Sequence, residues 1–271
     1  MKLAAFLLLP RLLTTEPPAG AVKLNSPHVQ MRNNEASATR SPWIDSNGWQ
    51  FMRTPDKQFY YQVTGDAAML AAAESFAYGS DALISADAAG ALAFEKMLTF
   101  LRTVPDAKDL KPVADFGVID DGTDQTGEVL NLLTRQNLLF KIEKAADPQF
   151  SVNVRIGSKD YPVEEASNPS FIAHKVRSQL GDDNRSIRLY GTEVVVSRYV
   201  SNGSRARVYL INYSNRPVRG LRVRVRGTFS NGDARLYGIA DAKLADWAQD
   251  GGATEFSIPE LNAFAVIDLS R

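Results

Sequence analysis

The chain contains no cysteine. This excludes disulfides, thiolate metal sites and any cysteine nucleophile. Histidine is scarce, with His28 and His174 the only two. No H-E-x-x-H string, no G-x-S-x-G elbow and no glycine-rich phosphate loop occurs, so zincin, serine-hydrolase and P-loop chemistry have no motif to stand on. Net charge is also absent, because 31 Lys and Arg balance 31 Asp and Glu. No whole-chain field therefore draws nucleic acid or an anionic membrane. No apolar run reaches the roughly 20 residues that a membrane-spanning helix takes. No cofactor is expected.

What is present supports folding. The chain has 271 residues, 44% of them hydrophobic, enough for one large core or two smaller ones. The N-terminus has an export pattern: Lys2, an apolar run over residues 3–9, then Ala19-Gly20-Ala21 as small residues for a signal peptidase. Arg11 interrupts that pattern. The expectation is a signal peptide over residues 1–21 and a secreted or periplasmic protein.

Residues 22–111 read as a mixed α/β segment. Residues 59–63 form a short strand, with a helix over 66–78 ending at Gly79 and a brief strand over 82–84. A second helix over 89–104 is stopped by Pro105. Asn47-Gly48 signals a turn. Residues 112–185 carry the clearest α/β unit: a strand over 113–119, an acidic turn, an amphipathic helix over 126–140, a strand over 152–156 and a helix over 169–180. This order suggests a parallel crossover. From residue 186 short β-rich runs follow one another with turn residues between most of them and no helix, the pattern of an antiparallel β-sandwich.

Four constellations carry chemistry. Between Arg185 and Arg226 stand ten arginines, no lysine and one acid, Glu193. Arg222, Arg224 and Arg226 alternate with apolar residues and so share one face of a strand. Such a face grips carboxylate or sulfate bidentately, or it is a solvated face paired with acids such as Asp233, Glu255, Glu260 and Asp268. Trp43, Asn47 and Trp49 form either a sugar platform or a strand–turn corner whose tryptophans belong to the core. Asp120, Asp121 and Asp124, with Glu128, follow a strand end where oxygen ligands hold Ca²⁺ or Mg²⁺. The same residues also suit helix capping, and the string does not match an EF-hand loop. Asp45 and Glu74 are the one carboxylate pair nominated for glycosidase work.

The C-terminal strings Arg207-Val208-Tyr209-Leu210-Ile211-Asn212-Tyr213, Glu255-Phe256-Ser257-Ile258-Pro259-Glu260-Leu261 and Phe264-Ala265-Val266-Ile267 resemble the terminal β-domain of bacterial glycoside hydrolases. The preceding unit is similar to the amidotransferase-like domain of family 42-type β-galactosidases. The resemblance implies a flavodoxin-like α/β domain followed by an all-β sandwich, with residues 22–111 as a barrel remnant. It also implies a non-catalytic role in oligomer contacts. A full catalytic barrel takes about 250 residues, and the chain has no room for one beside both other parts. The expected function is an accessory protein of carbohydrate metabolism, with a polysaccharide, an oligosaccharide or a second copy of the chain as partner. A hydrolase, or a fragment of one, and a purely structural assembly module are the alternatives.

Overall fold

The computed structural model describes residues 9–14, 16–31 and 42–271. Most of the expected signal peptide's apolar run lies outside the described residues. The first element, β1 (Arg11–Leu12), is an edge strand that removal of residues 1–21 would delete. It is followed by β2 (Val22–Leu24), β3 (His28–Met31), β4 (Pro42–Asp45), α1 (Gly48–Arg53), β5 (Phe59–Val63), α2 (Ala67–Tyr78), β6 (Ala82–Ala86) and α3 (Ala88–Leu101). Strands β1, β6, β5 and β2 form a parallel sheet in that order, while β3 and β4 pair antiparallel as a hairpin. Parallel neighbours need a crossover, and α2 supplies it between β5 and β6. Helix α2 is Ala-rich and buried nearly all round, as its lack of a polar stripe requires. It ends at Gly79 in the left-handed conformation, φ 64°.

The next unit comprises β7 (Lys111–Pro112), β8 (Phe116–Ile119), α4 (Asp124–Arg135), β9 (Phe140–Glu143), β10 (Asn153–Val154), α5 (Val163–Ala166) and α6 (Pro169–Leu180). Strand β8 lies between β10 and β9, parallel to both. The expected crossover is therefore present, but its second strand differs from the one expected. Leu138 and Leu139 keep helical spacing, which extends the expected helix to residue 140. In the structure Asn137 adopts φ 54°, and the N–H groups of Gln136 and Leu138 close back on Leu132 and Leu133. Asparagine tolerates this left-handed turn. The helix stops there and frees Phe140 to open a strand.

The remaining strands are β11 (Ile187–Tyr190), β12 (Val195–Ser201), β13 (Arg205–Asn212), β14 (Val218–Arg226), β15 (Asn231–Leu236), β16 (Ala245–Asp250), β17 (Ala253–Leu261) and β18 (Phe264–Ser270). Together with β7, which leaves the preceding unit to pair with β12, they form two antiparallel sheets, β11-β14-β17-β16 and β15-β18-β13-β12-β7. Strand β16 is mostly exposed, and its sequence Ala-Asp-Trp-Ala-Gln-Asp carries no β-rich run.

Among the described residues three apolar cores form. One fills the sandwich between its sheets through Val208, Leu210, Leu221, Val223, Phe256 and Ile267. One underlies the β8 unit through Phe116, Val118, Leu133 and Val176. The third joins the two ends of the chain: α2 and α3 pack on Val196, Tyr209, Ile211, Phe264 and Val266 of the five-stranded sheet. That sheet is thus buried on both faces. Its central strands read as continuous apolar runs for this reason.

Candidate functional site

The nominated carboxylates are held very differently. Glu74, on α2, is 0% exposed. One oxygen accepts from the backbone N–H of Asn47 (2.5 Å) and the Tyr213 hydroxyl (2.5 Å). The other accepts from Asn47 Nδ2 (3.1 Å) and the Tyr61 hydroxyl (2.8 Å). Four donors fill the acceptor positions of a carboxylate. Burial pushes its pKa up, and the bonds from Tyr213, Asn47 and Tyr61 pull it partly back. Asp45, on the hairpin, accepts from Trp43 Nε1 (3.1 Å) and Gln30 Nε2 (2.9 Å) and lies 3.5 Å from His28 Nε2. His174 is exposed on α6.

Asn47-Gly48 was expected as a turn and instead opens α1. Gly48 sits so close to Tyr78 that a Cβ would come within 2.2 Å of the ring. Asn47 is buried by its bonds to Glu74. Trp49 lies against Gly127 of α4, and Trp43 is stacked under the Arg135 guanidinium, 3.5 Å from the ring centroid. The two tryptophans thus face different neighbours. Asp120 accepts two 2.8 Å bonds from Arg53. Asp121 accepts from the Thr123 N–H and hydroxyl, and Asp124 opens the first turn of α4, which is capped by Thr123. Among the described residues no group of three or more His, Cys, Asp or Glu is arranged to hold a metal.

The arginines of β14 are largely answered by β17. Arg222 donates to Glu255 Oε2 at 2.9 and 2.5 Å, Arg224 lies 3.3 Å from Glu255 Oε1, and Arg219 reaches Glu260 at 3.1 Å. Arg226 reaches the Asn184 carbonyl.

Among the described residues, two openings bear on the site. The carboxyl ends of β5 and β6 face a shallow depression of about 470 Å³ lined by Ser26, Gln62, Thr64, Ser85 and Asp87. Strand ends of this kind hold the active sites of α/β barrels. Here the carboxylate of Asp87 is engaged in capping α3, accepting from the N–H groups of Gly65 and Gly90. The larger opening, about 1150 Å³, lies between the hairpin, helices α4 and α6, and β11. Trp43, Arg135, Arg177, Arg185, Arg188 and Tyr190 line it. Sequence reasoning brought Trp43 forward from this group as a site residue, and Arg185 and Arg188 only as members of the ten-arginine run. The others come from separate segments, and no local spacing marks them.

Next to the arginines of that cleft, Asp182 accepts from Arg177 Nε (2.9 Å) and Nη2 (3.0 Å). It lies 3.4 Å from Arg185 and 3.8 Å from Arg188. Its pKa is held down to about 2, chiefly by the Arg177 bonds. The contribution of this carboxylate to stability is present above the ordinary carboxylate range and is lost as pH falls toward about 2. A carboxyl-detected NMR titration is expected to place the Asp182 midpoint there. Arg177→Ala is expected to return it toward the ordinary range. An unmoved midpoint would contradict the assignment to Arg177.

No protein-family model matches the chain, and no curated protein matches its sequence. Its fold is similar to that of alpha-L-fucosidase isoenzyme 2 from Paenibacillus thiaminolyticus, with TM-score 0.60 and 9% identity, over 82% of this chain and 62% of that one. A glycoside hydrolase family 42 exo-carrageenase from Bacteroides ovatus aligns with TM-score 0.40 and 11% identity, over 84% and 44%. A family 30 subfamily 8 xylanase from Clostridium acetobutylicum aligns with TM-score 0.30 and 8% identity, over 82% and 45%. The chain spans less than two thirds of the length of each. At such identity the likeness bears on fold alone, and that fold is glycoside hydrolase-like.

Proposed function

We propose that the chain is an accessory module of carbohydrate metabolism that binds a glycan without cleaving it. The observation that carries this reading is the state of Glu74, which is walled off from solvent with its acceptor positions filled by four internal donors. A glycosidase acid or nucleophile must reach the bond it breaks and needs a second carboxyl facing it across the sugar. The large cleft instead offers guanidinium and aromatic groups, with Glu193 the one carboxylate among its described lining residues. In this reading the β8 unit is an amidotransferase-like part serving assembly contacts.

A second reading, hydrolysis through Asp45 and Glu74, is favoured by the glycosidase folds that the chain resembles. Affinity electrophoresis of the full chain through gels containing neutral and acidic polysaccharides separates the two when combined with an aryl-glycoside assay. Retardation by at least one polymer without turnover is expected. Absence of retardation by every polymer would overturn the binding reading. Turnover abolished by Asp45→Asn would replace it with hydrolysis.

A further inference from the structure

Arg198, on β12, is a partly buried cation that the fold surrounds without a counter-charge. Arg207, Arg224 and Arg185 are buried too, and each has a carboxylate, Asp268, Glu255 and Asp182 respectively. Among the described residues Arg198 has none. Its Nη1 donates to the Sδ of Met52 (3.1 Å), and its guanidinium lies over the Tyr78 ring, 5.0 Å from the centroid. A thioether is a weak acceptor, and an aromatic face offers partial charge only. Burial pulls the Arg198 pKa down, and the groups that draw it back up are the tyrosines Tyr78 and Tyr209. Burial raises the pKa of both tyrosines, so they stay uncharged at neutral pH and neither supplies a negative charge. A guanidinium keeps its proton inside a protein. The positive charge therefore stands unanswered, and an enclosed charge without a partner is costly.

Beside Arg198 is a cavity of about 10 Å³. It lies where the three parts of the chain meet: Met52 of α1 and Tyr78 of α2 come from the first, Thr134 of α4 and Asn137 from the second, and Ser197 and Arg198 of β12 from the sandwich. The space is about that of one water molecule, so a halide-sized ion enters it and a sugar does not. The Nε atoms of Arg185 and Arg188 are sealed in without a partner, but no nitrogen of Arg198 is closed off in that way. Its unbonded N–H groups are thus open to the cavity that it lines. The neutral polar groups around the space are already engaged. Ser197 donates through its N–H and hydroxyl to Asn137 Oδ1, Asn137 Nδ2 donates to the Val195 carbonyl, and the Thr134 hydroxyl donates to the Leu130 carbonyl. The Tyr78 hydroxyl has no hydrogen-bond partner among the described residues. Protonated tyrosine and guanidinium groups are left as donors without an acceptor, which suits an anion.

We propose that this cavity binds a single small inorganic anion, chloride in size and charge, held by the free N–H groups of Arg198 and the Tyr78 hydroxyl. The ion supplies the missing counter-charge and ties together the three parts of the chain. The site stands apart from the large cleft and does not depend on the glycan-binding reading.

The test is chlorine NMR of the full chain titrated with sodium chloride, with thermal unfolding compared in sodium chloride and in sodium gluconate at equal ionic strength. Gluconate is too large for the cavity. A saturable broadening of the chloride line is expected, together with a higher Tm in chloride, because a ligand that binds the folded state stabilises it. Arg198→Met removes the charge, keeps an apolar side chain of similar reach and is expected to abolish the saturable component. Tyr78→Phe keeps the ring, loses the hydroxyl and is expected to weaken chloride binding about tenfold, the size of a hydrogen bond to a charged group. It decides the matter should Arg198→Met fold poorly. Arg219→Met, at an exposed arginine paired with Glu260, is the charge-matched control and is expected to leave the titration unchanged. Absence of a saturable component would show that the cavity holds water alone and would overturn the proposal. So would a component that survives both Arg198→Met and Tyr78→Phe, which would place the ion elsewhere, or one lost equally with Arg219→Met, which would reduce it to general surface attraction.

Discussion

Glu74→Ala is expected to cost about 3–5 kcal/mol, more than most single substitutions in a domain of this kind. The side chain draws together three separate parts of the chain: Asn47 at the start of α1, Tyr61 on β5 and Tyr213 just beyond β13. Truncation leaves the hydroxyls of two buried tyrosines and the Asn47 N–H without their acceptor, and each unsatisfied buried group costs about 1–3 kcal/mol. Glu74→Gln is expected to be intermediate, because an amide NH₂ replaces one acceptor and faces donors. Urea denaturation of both variants measures this. A loss below about 1 kcal/mol for Glu74→Ala would show that water replaces the carboxylate at little cost.

The same residue fixes part of the pH profile. Burial raises the folded-state pKa of Glu74, so the folded protein holds that proton more tightly than the unfolded chain does. Stability therefore falls as pH climbs from the ordinary carboxylate range to the raised value, and it is level above. Glu74→Gln has no such proton and is expected to lose this portion of the slope.

Phe264→Ala is expected to cost about 3–5 kcal/mol through the cavity it leaves. Its ring stacks on Tyr209 at 6.3 Å and meets Phe76 and Phe100 edge-on at 6.4 and 6.2 Å. Phe76 and Phe100 come from α2 and α3, whereas Phe264 and Tyr209 come from the five-stranded sheet. Leu92→Ala, at a residue 68% exposed on α3, is the matched control and is expected to stay within about 0.5 kcal/mol. Thermal and urea unfolding compare the two directly. Similar midpoints for both variants would refute the importance of this aromatic junction.

Much of the fold was legible because its signals are local. Helix α6 matches the apolar spacing and the initial proline that mark it in sequence, and α2 stops at the glycine suited to stop it. Most sandwich strands announce themselves by short β-rich runs with turn residues between them. The errors came where local and tertiary demands diverge. Leu138 and Leu139 fit a helix by spacing, but the Asn137 turn sends them elsewhere. Asn47-Gly48 fits a turn, but the close approach of Tyr78 demands glycine for another reason.

The candidate site was far less legible. Asp45 and Glu74 were found as residues, but nothing in their spacing reveals that one is sealed inside the protein. The arginine face on β14 was visible, as were several of its acidic partners. The cleft was not, because Trp43, Arg135, Arg177 and Arg188 lie on four different elements and meet only after folding. Side chains of this kind look like ordinary helix-end cations and surface charges until their neighbours are known.

The five-stranded sheet, covered on both faces, also bears on how such a chain is inherited. A domain joined to its neighbour by a linker can be exchanged between genes as a cassette, because its boundary carries few contacts. Here the composition changes near Arg185, yet the inner sheet belongs to two cores at once. A recombination event at that junction would deliver a sandwich whose outer aromatic face had lost the helices shaped to cover it. Moved alone, the sandwich would carry an apolar face that the intact chain keeps covered.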